Sequence, residues 1–196
     1  MCPLGSEEKK ILLGIARKAI ALTFTEGRQL EIAAPEGALA ARGGAFVTLR
    51  KRGRLRGCIG RLSPEESLAS VVAYCAAAAA TEDPRFSRLR ADEFGELEIE
   101  ISVLSELQKA QPEQVEAGMH GLVISRNGHR GVLLPQVARE HSWSRERFLE
   151  ETCHKGGLNP DAWKEPETEV EIFTAETFSE ADFPAGHPES TGATEK

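Results

Sequence analysis

A short segment around Cys58 brings together the residue types best suited to chemistry in this chain. The segment reads Leu55-Arg56-Gly57-Cys58-Ile59-Gly60. Arg56 and Cys58 are two positions apart, so they share a face if the segment is a regular strand. A guanidinium beside a thiol lowers the thiol pKa and favours the thiolate, and the flanking glycines allow a ligand to approach closely. The segment predicts a thiol-dependent catalytic or ligand-binding site; a cysteine buried in a packed strand is the structural alternative.

Charged residues elsewhere are further candidates for the same site. Glu98 and Glu100 share one face of an alternating segment, where they form either a carboxylate pair or an ordinary solvent-facing strand. Asp83 and Arg85 lie in a D-P-R-F sequence, which is either a structural turn with a local ion pair or one wall of a site. Glu140 is an acid–base candidate.

The other reactive side chains indicate no metal or redox centre. The histidines lack the tight spacing of metal ligands, although His120 or His141 could act as the base for a Cys58 nucleophile. The cysteines stand at positions 2, 58, 75 and 153 and include no C-x-x-C pair. Motifs for nucleotide binding, zinc proteases and serine hydrolases are missing from the sequence. We therefore expect free thiols, no metal and no cofactor.

A β-hairpin over residues 45–60 is expected to position Cys58. Residues that favour strands flank a turn at Arg52-Gly53. With a two-residue turn and regular pairing, Val47 lies opposite Cys58, and Arg56 shares the face of Cys58.

The strongest helix signal follows this hairpin, over residues 64–80. Ser63 is the expected N-cap, and Glu66 completes a capping box. The positive end of this helix would then lie near Cys58, where it would also favour the thiolate.

The complete order of elements indicates an α+β fold with one dominant, mainly antiparallel sheet and flanking helices. The other expected elements are a helix over 6–23, a weak strand over 30–32, a strand over 97–104, a hairpin over 121–134 turning at Asn127-Gly128, helices over 135–141 and 145–155, and a strand over 170–173. Residues 1–178 form the expected domain. Residues 179–196 are polar and rich in Pro, Gly, Glu and Thr, which predicts a disordered tail.

Composition narrows the classes of partner. The 196 residues include 24 Lys and Arg against 31 Asp and Glu, for a net charge of −7. This charge disfavours general nucleic-acid binding, although the basic cluster over 50–61 leaves a nucleic-acid adaptor open. No apolar run approaches the ~18 residues of a membrane helix, and the N-terminus lacks the pattern of a signal peptide. We therefore expect a cytoplasmic protein without membrane contact.

Several motifs extend beyond the Cys58 segment in a consistent order. They are GAFVTL followed by LRGCIG, then DPRF, HGLVI, GVLLPQVAREHSW and FLEETCHKGGL, and they span about residues 8–178. Together they resemble the AMMECR-type domain family.

This resemblance implies an α+β fold with a larger and a smaller lobe, and a cleft between them around which the shared motifs gather. At the cleft it places Arg56, Gly57, Cys58, Ile59 and Gly60. Its weaker candidates there are Asp83, Arg85, Pro135, Gln136 and Glu140. The resemblance brings no assigned reaction. Bacterial members belong to an AmmeMemoRadiSam system, which implies a Memo-like protein and a radical SAM protein as partners.

Three functions remain open from the sequence. An enzyme or enzyme subunit would use a Cys58 thiolate with Arg56 as its electrostatic partner, and Glu100, Glu140 or His141 as the acid–base group. A non-catalytic module would bind an unknown small molecule or a protein, with Arg56 holding an anionic group. A nucleic-acid adaptor would use the basic hairpin.

Overall fold

Two antiparallel four-stranded sheets with helices packed on them form the described part of the protein. A computed structural model describes residues 3–33, 35–62 and 65–183. Its helices are α1 (Ser6–Thr25), α2 (Leu68–Thr81), α3 (Pro135–Glu140) and α4 (Arg145–Lys155). Its strands are β1 (Ala45–Lys51), β2 (Arg54–Arg61), β3 (Leu97–Leu104), β4 (Gln108–Lys109), β5 (Gly121–Arg126), β6 (His129–Leu133), β7 (Glu169–Phe173) and β8 (Ala175–Ser179).

The first sheet has the strand order β2-β1-β3-β8, and α1 and α2 pack against one of its faces. Alternate residues of the central strands, such as Val47, Leu49, Ile99 and Ile101, are fully buried on that face. The opposite residues of the same strands face away from the helices, because successive side chains of a strand point to opposite sides.

The second sheet has the order β4-β7-β5-β6 and packs against α4. Leu122, Ile124, Phe148 and Leu149 form the centre of its core. A smaller apolar cluster that includes Leu104 of β3 with Val123 and Phe173 of the second sheet joins the two sheets. The result is the expected α+β, mainly antiparallel fold, but with two sheets where the sequence indicated one dominant sheet.

Both predicted hairpins are confirmed. Arg52 and Gly53 have φ of 52° and 74°, and Asn127 and Gly128 have φ of 49° and 79°. Positive φ at both central residues defines the tight turn that suits the twist of a hairpin. Strand 97–104 is confirmed with the same bounds, and α4 begins after the predicted cap, since the Ser144 side chain accepts a hydrogen bond from the Arg147 amide.

The predicted register of the first hairpin is wrong by one residue. Thr48 lies opposite Cys58 where Val47 was expected, because the pairing shifts between Leu49 and Arg50. Arg56 is the extra residue of this β-bulge and has no partner on β1.

Helix α2 begins four residues later than predicted. Its N-cap is Ser67, whose hydroxyl accepts a hydrogen bond from the Ser70 amide at 3.2 Å. Glu66 pairs with Arg61 instead of completing a capping box. Ser63, the predicted cap, and Pro64 lie outside the described residues.

The folded part of the chain extends beyond the predicted end at residue 178. The sequence missed β8, which pairs with β3, and residues 30–32 form no strand. Beyond residue 178, Glu180 pairs with Arg17 at 2.6 Å and Phe183 packs against the first core. These contacts place residues 179–183 in the folded domain, while residues 184–196 lie outside the described part.

Candidate functional site

Cys58 lies on the face of the first sheet that is turned away from α1 and α2. Thr48 is its direct neighbour on β1 and lies opposite Glu100 on β3, which in turn lies opposite Ser179 on β8. These four side chains form a polar row across the whole sheet. The Thr48 hydroxyl donates a hydrogen bond to the Cys58 sulfur at 3.3 Å, and Cys58 is partly exposed.

Arg56 does not act on the thiol. The β-bulge turns its side chain towards Glu93, with which it forms an ion pair at 3.0 Å, and towards the Ser87 carbonyl at 2.7 Å. Its side chain is only 15% exposed, so these contacts occupy it. The prediction that Arg56 is the electrostatic partner of Cys58 is wrong, because regular pairing was assumed where the strand has a bulge.

The prediction that the N-terminal end of the helix favours the Cys58 thiolate is also wrong. A Cβ added to Gly57 would lie 2.1 Å from the carbonyl oxygen of Ala79, so the last turn of α2 is the part that packs against this segment of β2. The helix lies on the opposite face of the sheet from the Cys58 side chain, because successive side chains of a strand point to opposite sides.

These surroundings raise the pKa of the Cys58 thiol. Burial is the largest cause, and the carboxylates of Asp83 and Glu100 act in the same direction. The hydrogen bond from Thr48 and the charge of Arg85 lower the pKa by less. The prediction of a lowered thiol pKa is therefore wrong. Cys58 is a neutral thiol at the edge of an acidic region.

Glu100 is the carboxyl group most affected by this region. Its side chain is 22% exposed, and burial raises its pKa. Arg50 lies 3.9 Å away and lowers the pKa, while Glu140, Glu98 and other carboxylates raise it. The sequence favoured a solvent-facing strand for Glu98 and Glu100, but the Glu100 side chain is mostly buried.

Helix α3 reaches the same face of the first sheet at Ser102. The Gln136 side-chain amide donates a hydrogen bond to the Ser102 hydroxyl at 3.3 Å, and Ser102 in turn bonds to Thr177 at 2.9 Å. Among the described residues, the side-chain carbonyl oxygen of Gln136 is buried and has no hydrogen-bond partner. Glu140 follows one turn later, where its charge acts on Glu100. Gln136 therefore contacts the Cys58 face through Ser102, and the charge of Glu140 acts on Glu100.

The residues flanking Cys58 have internal roles. Gly57 allows the close approach of α2 described above, and Ile59 packs in the same core. A Cβ added to Gly60 would lie 2.3 Å from the ring of Phe46, which crosses over it. Their packing accounts for both glycines without a ligand.

Asp83 and Arg85 bind the backbone of Cys58. An oxygen of the Asp83 carboxylate accepts the Cys58 amide hydrogen at 2.8 Å, and the Arg85 guanidinium donates to the Cys58 carbonyl at 3.4 Å. The two side chains pair at 2.7 Å. The Arg85 guanidinium lowers the pKa of Asp83 to about 2, and the Cys58 amide contributes to the same shift.

The histidines and the basic hairpin are engaged elsewhere. His120 accepts a hydrogen bond from the Glu116 amide, and His141 stacks on Trp143 at 4.7 Å between ring centroids. Most of the hairpin cations have acidic partners, in the pairs Arg50–Glu100, Lys51–Glu93, Arg52–Glu96, Arg56–Glu93 and Arg61–Glu66. This pairing weakens the case for a nucleic-acid surface.

A cavity of about 560 Å³ lies beside Trp163, next to β4 and β7 of the second sheet. Charged side chains at its rim are paired with each other, Lys109 with Glu169 at 2.7 Å and Lys164 with Asp161 at 2.6 Å. It carries no group comparable to Glu100 or Cys58, so we place the candidate site on the first sheet. Within the described ranges, no three His, Cys, Asp or Glu residues are arranged to hold a metal ion, and no helix is long and apolar enough to span a membrane.

Comparison with known proteins places the chain in a family. The sequence profile described as AMMECR1 matches residues 13–178. The chain belongs to the AMMECR1 family. A protein of Methanothermobacter thermautotrophicus is 39% identical over 91% of this chain and 97% of its own length. One of Methanopyrus kandleri is 40% identical over 90% of each chain.

A solved structure also resembles this AMMECR1-family chain. The crystal structure of an uncharacterized protein from Pyrococcus horikoshii matches it with a TM-score of 0.85 and 34% identity. The match covers 90% of this chain and 93% of that chain. The two-sheet arrangement is therefore also found in an experimental structure.

Sequence reasoning missed the hydroxyl residues of this candidate site. Thr48, Ser102 and Thr177 lie on the Cys58 face, and the first two are almost fully buried. A buried hydroxyl needs a hydrogen-bond partner. For Ser102 the signal in the sequence is the alternation of β3, which puts it on the face of Glu98 and Glu100.

Proposed function

We propose that this protein binds a small polar ligand on the Cys58 face of the first sheet, beneath α3. We call this surface, formed by Cys58, Thr48, Glu100, Ser102 and Gln136, the cleft site. The observation that carries the proposal is the polar row of Cys58, Thr48 and Glu100, which lies beside the contact between α3 and Ser102. The opposite face of the same strands is apolar and closed.

Glu100 is the proton-transferring group of the cleft site. A carboxyl group with a raised pKa keeps its proton to a higher pH than an ordinary carboxyl group, which suits proton transfer. Burial and the nearby carboxylate of Glu140 produce that shift here. Groups with perturbed pKa values that converge on one surface are typical of functional sites.

Cys58 takes part as a neutral thiol that contacts the ligand. Its raised pKa argues against a resting thiolate nucleophile. Thr48 orients the sulfur by donating its hydroxyl hydrogen. The first candidate function is therefore proton transfer to or from the bound ligand. The second is ligand binding through Glu100 and Cys58 without a reaction, and the same contacts favour it.

Native mass spectrometry after incubation with fractionated cell extract tests the proposal. We expect a small molecule to remain bound to the wild-type protein and to be lost in Glu100→Gln and Cys58→Ser. Glu26→Gln is the matched control, because Glu26 is an exposed glutamate that pairs with Arg28 away from the site. Equal retention by Glu100→Gln and Glu26→Gln would contradict the proposal.

The partners implied by the resemblance remain a prediction. We propose that a Memo-like protein and a radical SAM protein act with this protein, which we expect in the cytoplasm. Mixing the purified proteins and measuring complex formation by analytical ultracentrifugation tests the partnership. Three independent sedimenting species at micromolar concentration would contradict a stable complex.

A further inference from the structure

The outer edge of β2 is closed at Cys58 by side chains instead of by another strand. β2 is the first strand of its sheet, and an edge strand leaves backbone N–H and C=O groups unpaired. Asp83 accepts the outward Cys58 N–H at 2.8 Å, and Arg85 donates to the outward Cys58 C=O at 3.4 Å. Together the two side chains replace the missing neighbour at one residue of the edge.

The outward direction of both backbone groups explains where the thiol points. Thr48 and Cys58 then form a pair without mutual backbone hydrogen bonds, in which the two side chains approach most closely. The contact of 3.3 Å between Thr48 and the Cys58 sulfur agrees with this geometry.

The Asp83–Arg85 pair is itself rigid. The Arg85 guanidinium holds the carboxylate through two bonds, at 3.0 and 2.7 Å, and the Arg85 amide adds a third at 3.1 Å. Asp83 is 5% exposed, so its carboxylate is held by protein groups on nearly every side. A charge-assisted pair of this kind is stronger than a neutral hydrogen bond.

We propose that Asp83 and Arg85 are positioning residues for Cys58, which hold the β2 edge so that the sulfur projects into the cleft site. This inference rests on the proposed function, because it gives the pair its effect through the thiol of that site. The two residues also act on the thiol with opposite charge, Arg85 favouring the thiolate and Asp83 opposing it.

Charged groups on two elements act on Cys58. They are Asp83 and Arg85 from the loop after α2, and Glu100 from β3. Cys75 of α2 is also influenced by Cys58. Only the first two are changed in the test, so the others act as a constant background.

The pH dependence of Cys58 alkylation in the folded protein, read by mass spectrometry, tests the proposal. We expect Asp83→Asn to lower the midpoint of the alkylation profile, because it removes a negative charge while Arg85 remains. We expect Arg85→Gln to raise the midpoint, and Arg85→Lys to return it towards the wild-type value. If loosening of the strand were the only effect, both Asp83→Asn and Arg85→Gln would shift the midpoint in the same direction.

Amide exchange at Cys58, followed by NMR, measures the positioning directly. We expect exchange to become about tenfold faster or more in Asp83→Asn, because a charge-assisted hydrogen bond is weakened. The control is Arg90→Gln, since Arg90 and Asp92 form a similar two-bond pair on the surface. Unchanged exchange at Cys58 in Asp83→Asn would overturn the proposal.

These measurements need no ligand, so they are separable from the test of the proposed function. Faster Cys58 exchange in Asp83→Asn with no retained small molecule would leave the positioning pair standing and remove the ligand site. Should Asp83→Asn fail to fold, Cys58 amide exchange decides the outcome in Arg85→Gln and Arg85→Lys, because only Arg85→Gln removes the charge that holds the Asp83 carboxylate. Exchange as slow as in the wild type in Arg85→Gln would overturn the proposal.

Discussion

The two faces of the first sheet are built from the same strands and differ in almost every property. The face against α1 and α2 is apolar, with Leu49 and Ile101 fully buried. The opposite face carries Thr48, Glu100 and Cys58 and is only partly covered. One face therefore supplies the stability that allows the other to hold groups that cost free energy to bury.

Gly57 and Cys58 show how closely the two faces are connected. They are adjacent in the chain and belong to opposite faces. Gly57 lets the backbone of α2 approach to contact distance, and this approach brings Asp83, two residues after α2, onto the Cys58 amide. Packing on the closed face therefore determines the electrostatics of the open face.

The largest contrast is expected between Ile101→Ala and Ser102→Ala, which change neighbouring residues on opposite faces. Removal of a fully buried isoleucine leaves a cavity and should cost about 3 to 4 kcal/mol. Ser102→Ala removes hydroxyl hydrogen bonds and should cost about 1 kcal/mol. Urea unfolding monitored by circular dichroism measures both, and similar losses in the two variants would contradict the division between faces.

Gly57→Ala should be the next most damaging change. The added Cβ would meet the Ala79 carbonyl oxygen at 2.1 Å, and a backbone atom cannot move aside alone. We expect a loss of about 3 kcal/mol and a melting temperature lower by roughly 10 °C. Gly95→Ala is the matched control, because no atom lies within 4 Å of its Cβ position. A wild-type melting temperature for Gly57→Ala would show that α2 packs less tightly.

Asp83 should make the protein sensitive to acid. Its pKa is about 2 in the folded state against an ordinary 3.8, so the folded state binds the proton less well than the unfolded chain. The stabilisation is present above about pH 4 and is lost as the pH falls towards 2.

Asp83→Asn should lose roughly 2 kcal/mol at neutral pH and show a shallower decline with acid. Urea unfolding at pH 6 and pH 3 compares the variant with Asp92→Asn, a change in an exposed ion pair. Some decline will remain in Asp83→Asn, because the pairing of Glu93 with Arg56 lowers the pKa of Glu93 to about 2 as well. Parallel declines in wild type and Asp83→Asn would contradict the buried, paired carboxylate.

The smallest expected effect is a gain in stability in Glu100→Gln. The folded-state pKa of Glu100 is raised, so ionisation of this residue is less favourable in the folded protein than in the unfolded chain. That penalty is absent below the ordinary pKa and grows as the pH rises through the folded-state value. At pH 7 the variant should melt about 2 °C higher, and at pH 4 the difference should disappear. A lower melting temperature at pH 7 would mean that the Arg50 contact outweighs burial.

The regular elements of this fold could be predicted from local patterns. Strand 97–104 alternates without interruption, Asn127-Gly128 requires positive φ, and Ser144 precedes a helical period. These signals depend on a few neighbouring residues. For the same reason the resemblance to the AMMECR-type family could be read from short motifs.

The features that decide the chemistry depend on tertiary contacts. The bulge at Arg56 cannot be recognised from the alternation of residues along the strand. It nevertheless changes which charged groups act on Cys58. Ser63 and Ser67 are both suitable caps, and the bond from the Leu68 amide to the Ala41 carbonyl accompanies a start at Leu68. The contact of α3 with Ser102 joins residues far apart in the chain. The composition of the site could therefore be predicted in part, but its electrostatics could not.

The alkylation profile of the three described cysteines in the folded wild-type protein tests the cleft site most directly. We expect Cys58 to be labelled first, with a midpoint above that of an ordinary thiol, because burial and two carboxylates oppose the thiolate. Cys75 and Cys153 are fully buried and should be labelled only after unfolding. A Cys58 midpoint below the ordinary thiol value, or protection of Cys58 until the protein unfolds, would contradict an accessible site with a neutral thiol.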